Sequence, residues 1–150
     1  MAKERFIKPL YQGTVATAAM TAYGQLVSCA SRYNLSLPEL LSYFIQKWPG
    51  GPARGISKPL GWIIHFGIGV IWALVFRFTF RRMKARPGLQ AGLLLGAVSS
   101  LIAIESWRRL FRHHPNPPHT DVRMRMIHLT LSHMVYSLTI TFLMGKRNIR

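Results

Sequence analysis

Residues 88–107 constrain this chain more than any other stretch. They carry no charge before Glu105, and Gly88, Gly92, Gly96 and Ser100 recur at every fourth position. At about 1.5 Å per residue, a helix of this length spans roughly 30 Å, the thickness of a bilayer's hydrocarbon core. Small side chains stacked on one face let a neighbouring backbone approach closely. Such packing drives helix association in lipid, where burying apolar surface gains little. The pattern predicts a membrane-spanning helix, and the remaining chain has to supply its neighbours.

Three further runs fit that role, at about residues 10–30, 60–80 and 126–144. The first is uncharged but rich in small and polar side chains, among them Thr14, Thr17, Thr21, Gln25 and Ser28. A helix so polar is predicted to sit against the others, its hydroxyls bonded to backbone carbonyls or across the bundle. In the second run Gly61, His65, Gly69 and Ala73 again step by four. Gly61, Gly69, Gly88, Gly92, Gly96 and Ser100 are therefore the expected packing positions. The expected fold class is all-α, a single integral membrane domain of 150 residues built as a four-helix bundle.

Between the first two spans lies a shorter amphipathic element. Ser36, Pro38 and Glu39 form a capping box with proline in the first turn. Leu37, Leu40, Leu41, Phe44, Ile45 and Trp48 then fall on one side of a helix over about residues 37–48, and Pro49-Gly50-Gly51-Pro52 ends it. It is too short to cross a bilayer. It is expected to lie at the membrane surface covering its own bundle, with docking to a partner protein as the sharper alternative.

The formal charge is +16 with only four acidic residues, which in a soluble protein would point to nucleic acid. Here the cations collect in short clusters between apolar runs, the pattern of juxtamembrane groups facing anionic headgroups. Arg81, Arg82 and Lys84 form one such group, and Arg108, Arg109 and Arg112 another. No nucleic-acid partner is expected. Four spans place both termini on one side of the membrane, with eleven Lys and Arg there against nine on the other, a bias toward cytoplasmic termini. Cys29 is the only cysteine, so no internal disulfide forms. Lys3, Arg5 and Lys8 followed by an apolar run and Leu26-Val27-Ser28-Cys29 resemble a lipoprotein signal, but the segment reads more simply as a span.

Titratable groups inside a bilayer are costly and are functional candidates by default. Gln25, His65, Glu105, His128 and His133 all approach the side that holds the short helix, and form the expected intramembrane polar cluster. His65 shares a helical face with Gly61 and Gly69, and His133 with Thr130, Ser137 and Thr141, so both are predicted to point inward. Glu105 is expected to pair with an arginine or His128 near the surface. Three readings follow: interior histidines that fix helix register, a polar vestibule for proton or ion movement, and axial ligation of a b-type haem by His65 and His133. His113, His114, His119 and Asp121 match no zinc spacing, and no metal or cofactor is expected.

Several segments are similar to the YagU-like family of small bacterial inner-membrane proteins: Ile63-Ile64-His65, the run Leu89-Gln90-Ala91-Gly92-Leu93-Leu94-Leu95-Gly96-Ala97, and Leu131-Ser132-His133-Met134-Val135 before a basic tail. The first span, opening Gly13-Thr14-Val15-Ala16-Thr17, is similar to openings in related membrane families. The resemblance implies a four-helix inner-membrane protein and draws attention to His65 and His133, without a catalytic site to carry over. The expected role is non-enzymatic, an accessory subunit packed among other membrane subunits and anionic lipids. A homo-oligomeric channel or proton-linked transporter is the runner-up, and a haem cytochrome the third reading.

Overall fold

The computed structural model describes residues 2–31 and 34–145. Those residues form five helices: α1 (Ala2–Ala30), α2 (Leu37–Lys47), α3 (Arg54–Arg82), α4 (Leu89–His113) and α5 (Val122–Gly145). Helix α1 sits between α3 and α5, and α5 in turn packs on α4. Pairs of touching residues set the directions. Gly13 lies against Val70 and Thr21 against His65, so α1 and α3 are antiparallel. Tyr23 meets His128 while Gln12 reaches Leu143, so α1 and α5 are antiparallel as well. Helix α2 folds back on the start of α3 at Gly61.

The radial distribution of side chains is that of a protein dissolved in lipid. On α4 the buried positions are Gly92, Gly96, Ser99 and Ser100, whereas Leu93, Leu94, Val98 and Leu101 face outward; Ser99 is 1% exposed and Leu101 67%. In water this arrangement would leave a wide apolar surface unprotected. In a bilayer it is favourable, because lipid tails solvate leucine while the small polar residues bond and pack inside. Helices α3, α4 and α5 are long and apolar enough to cross a membrane. The chain is therefore a small, all-helical, polytopic membrane protein.

Two local expectations need correction, and the first run differs from the other three in hydropathy. Helix α1 is as long as α3, yet it does not join the apolar three, because its hydroxyls and amides lower its hydropathy. Its polar groups are spent inside the bundle: Thr17 and Ser28 donate to the carbonyls one turn back, and Gln12 bridges Arg77 and the Leu143 carbonyl. The capping box does not close. Ser36 occupies the N-cap of α2 without a side-chain cap bond, its hydroxyl facing Gln25 at 3.3 Å, while Glu39 accepts from Asn34 at 2.8 Å. Finally, α4 runs past Trp107 to His113, and Gly88 is its exposed N-cap rather than a packing residue. A Cβ at Gly88 would meet nothing nearer than the Arg86 carbonyl at 4.0 Å.

Packing is uneven along the bundle axis. Ala73, Phe76, Phe80, Tyr136, Ile140 and Met144 form an apolar core with Ala16 and Met20 of α1. This core fills the half that ends in the basic residues Arg81, Arg82 and Lys84. The other half, toward α2, holds the histidines and a cavity.

Candidate functional site

The cavity arises because α3 and α4, although consecutive, do not pack closely on one another. Helices α1 and α5 fill the space behind them, and Leu37 and Leu41 of α2 close one end. The recess measures about 290 Å³ and is almost wholly apolar. Trp72 and Trp107 stand on its sides, and Ile68 and Ile102 at its mouth are exposed.

Its titratable groups are His65 from α3, His133 from α5 and the Tyr136 hydroxyl; Thr17 and Ser106 also line it, their hydroxyls donating to the Gly13 and Ile102 carbonyls of their own helices, together with the indoles of Trp72 and Trp107. Both histidines are 7% exposed. His65 Nε2 lies 2.9 Å from Thr21 Oγ1, whose own proton goes to the Thr17 carbonyl at 2.7 Å. His133 Nδ1 lies 3.2 Å from Ser99 Oγ, whose proton goes to the Gly96 carbonyl at 3.0 Å. With each hydroxyl proton on its nearer acceptor, the network assigns the tautomers: both rings donate to the hydroxyls. His65 Nδ1 and His133 Nε2 then carry lone pairs and have no partner among the described residues. Neither is sealed from a water-sized probe, unlike His128 Nδ1. Tyr136, by contrast, is satisfied, donating to the Gly69 carbonyl at 2.5 Å.

The other members of the expected polar cluster are not brought to this recess. Gln25 faces Ser36. His128 is buried under Tyr23, stacked at 5.4 Å, with Nε2 at 3.2 Å from Ser132 Oγ. Glu105 is on the outer surface and accepts from Arg109 Nε at 2.9 Å. Both partners of that pair are exposed, so solvent screens it and Glu105→Gln is expected to leave the thermal unfolding midpoint in detergent unchanged. A clear drop in the midpoint would show that Glu105 has a partner in the bundle.

The remaining positions divide by environment. Gly92 and Gly96 lie against Thr141, Met134 and Ser137 of α5, and Ser137 donates to the Gly92 carbonyl at 2.5 Å. Ser100 is buried on the same face. Leu40 and Phe44 of α2 are buried, with Phe44 against Trp107 and Phe111, while Ile45 is half-buried and Trp48 is 52% exposed. The amphipathic face of α2 therefore covers its own bundle. Arg81, Arg82, Lys84, Arg108, Arg109 and Arg112 are all exposed, at the two ends of the helices.

His114 has a role that spacing did not reveal. It is buried, donates from Nε2 to the Phe44 carbonyl at 2.9 Å and accepts at Nδ1 from the Asn116 amide at 3.1 Å, tying the loop after α4 to the end of α2. The only signal for it in the chain was its place before a proline-rich turn. Thr21 and Ser99, which orient the two cleft histidines, were visible merely as polar residues at helical spacing. Among the described residues, no three His, Cys, Asp or Glu come together in a way that could hold a metal. No family model, curated protein or solved structure matches the chain, so the chemistry of the recess rests on these residues themselves.

Proposed function

We propose that this chain is a non-enzymatic membrane protein that works by binding: it holds a membrane-borne ligand in the cleft between α3 and α4, as an accessory subunit of a larger membrane complex. One observation carries the reading. Two nine-tenths-buried histidines line one apolar recess, each with one ring nitrogen bonded to a helix hydroxyl and the other without a partner among the described residues, and the recess opens between two spanning helices. Those nitrogens are reached by a water-sized probe, so a hydrogen-bond donor on a bound molecule can satisfy them. Helix α1 is proposed as a fourth span, packed between α3 and α5. Membership of the YagU-like family, a bacterial inner membrane and cytoplasmic termini belong to the same proposal, on the motifs and the charge bias given above.

The subunit role now has a narrower basis. Gly61, Gly69, Gly92 and Gly96 are occupied within the bundle, so partners would meet the apolar flanks of α3 and α4 and the exposed Trp48. A transport path draws no support from the geometry, since Glu105 lies outside and Phe76, Phe80 and Met144 fill the half beyond the histidines.

The test is purification of the tagged, full-length protein from its native membrane in mild detergent, reading absorbance, size and intact mass from one sample. The expected result is a colourless assembly larger than the 17.1 kDa chain, with a stoichiometric partner and a retained small molecule. A lone oligomer without bound ligand would overturn the reading, and a red sample bleached by His65→Ala would replace it with a cytochrome.

A further inference from the structure

The cleft's donors and acceptors specify what it takes. Both free ring nitrogens are lone-pair acceptors, because the Thr21 and Ser99 hydroxyls accept the imidazole protons. The ligand must therefore bring hydrogen-bond donors. No Lys, Arg, Asp or Glu lines the recess, so a carboxylate or phosphate would lie in an apolar site without a counter-charge, at prohibitive cost. That disfavours fatty-acid anions and phospholipid headgroups. A haem is disfavoured by size, since a recess of about 290 Å³ does not enclose a porphyrin. The volume of about 290 Å³ lies at the small end of ligand pockets, enough for a compact ring or the head of a chain. Trp72 and Trp107 offer flat apolar walls, and Ile68 and Ile102 mark where a tail passes into the bilayer.

We infer that the cleft binds a neutral, hydroxyl-bearing lipid, whose O–H groups donate to His65 Nδ1 and His133 Nε2 while its apolar body leaves between Ile68 and Ile102. This rests on the reading of the cleft as a ligand site. Two sources share the chemistry: aromatic diols with an alkyl or isoprenoid tail, and simple long-chain alcohols.

Native mass spectrometry of the full-length protein in detergent tests it, with four probes at matched concentration: dodecylhydroquinone, its dimethyl ether, 1-dodecanol and laurate. The hydroquinone is expected to bind at least about tenfold more tightly than its ether, the loss that follows when a buried hydrogen bond cannot be made. Laurate should not bind. His65→Ala and His133→Ala are each expected to erase the preference for the hydroxyl form. The comparison of hydroquinone with ether on the native protein stands even if those variants fail to fold. Ile102→Trp, at a half-exposed position in the mouth, should block every probe. Tighter binding of the hydroquinone than of dodecanol assigns the aromatic diols, and equal binding assigns lipid alcohols in general. If ether or laurate binds as well as the hydroxyl probes and Ile102→Trp still blocks them, the donor requirement is overturned while the cleft reading stands. If nothing binds, or Ile102→Trp changes nothing, the cleft reading fails and this inference with it.

Discussion

Gly13→Leu is expected to yield no folded protein, and Gly13→Ala to lower the unfolding free energy in detergent by about 1–3 kcal/mol, the usual cost of forcing atoms into a filled contact. A Cβ at Gly13 would sit 2.7 Å from the Val70 Cα and 3.0 Å from the Gly69 carbonyl oxygen. Both are backbone atoms of α3 and cannot rotate aside. The only relief is for α1 to move away from α3, and that movement stretches the Thr21–His65 hydrogen bond that joins the two helices. Gly67→Ala supplies the control: it lies on the outer face of the same α3 with nothing within 4 Å, so its midpoint should be unchanged or higher. Equal losses at the two positions would mean that glycine content, and not this crossing, sets stability.

The second large effect is expected at the crossing of α2 and α3. A Cβ on Gly61 would lie 2.7 Å from both the Pro38 carbonyl oxygen and the Ser42 amide nitrogen of α2. Gly61→Leu should therefore lift α2 off the bundle, break the Ser42 bond to the Lys58 carbonyl and uncover the end of the cleft closed by Leu37 and Leu41. Cleavage by trypsin after Lys47 should accelerate by about tenfold or more, as local opening becomes more populated, while the spanning helices remain intact. Gly55→Ala, with no neighbour within 4 Å, should cleave as the wild type does. An unchanged rate in Gly61→Leu would show that α2 is held by Phe44 and His114 alone.

The histidines illustrate how far periodicity reaches. His65 shares a face with Gly61 and Gly69, and that face does turn inward, because the glycines are where α1 and α2 approach α3. Depth along the span was equally legible, since it needs only the helical rise. Which groups at one depth meet was not. Glu105 and His128 lie at one depth and His133 about 7 Å deeper, but Glu105 points out to Arg109, His128 lies under Tyr23, and only His133 reaches the cleft with His65. Ser36 shows the same limit at short range. Its sequence context is that of a cap, yet its hydroxyl faces Gln25 of α1, a residue eleven positions away.

The amino-acid sequence by itself determined that this chain is helical and built for a membrane. Inside a bilayer every backbone amide must be bonded within its own segment, so length and hydropathy specify a helix without knowledge of its neighbours. The step of four between small residues likewise marks a close-packed face wherever it occurs. The tertiary structure alone decided which helix each face meets: α2 at Gly61, α1 at Gly69, and α5 at Gly92 and Gly96. It also placed the polar helix α1 between α3 and α5 and left α3 and α4 apart. These outcomes depend on the order and rotation of helices about one another, which arise from contacts between residues far apart in the chain. The cleft exists because of that arrangement, and no local pattern encodes it.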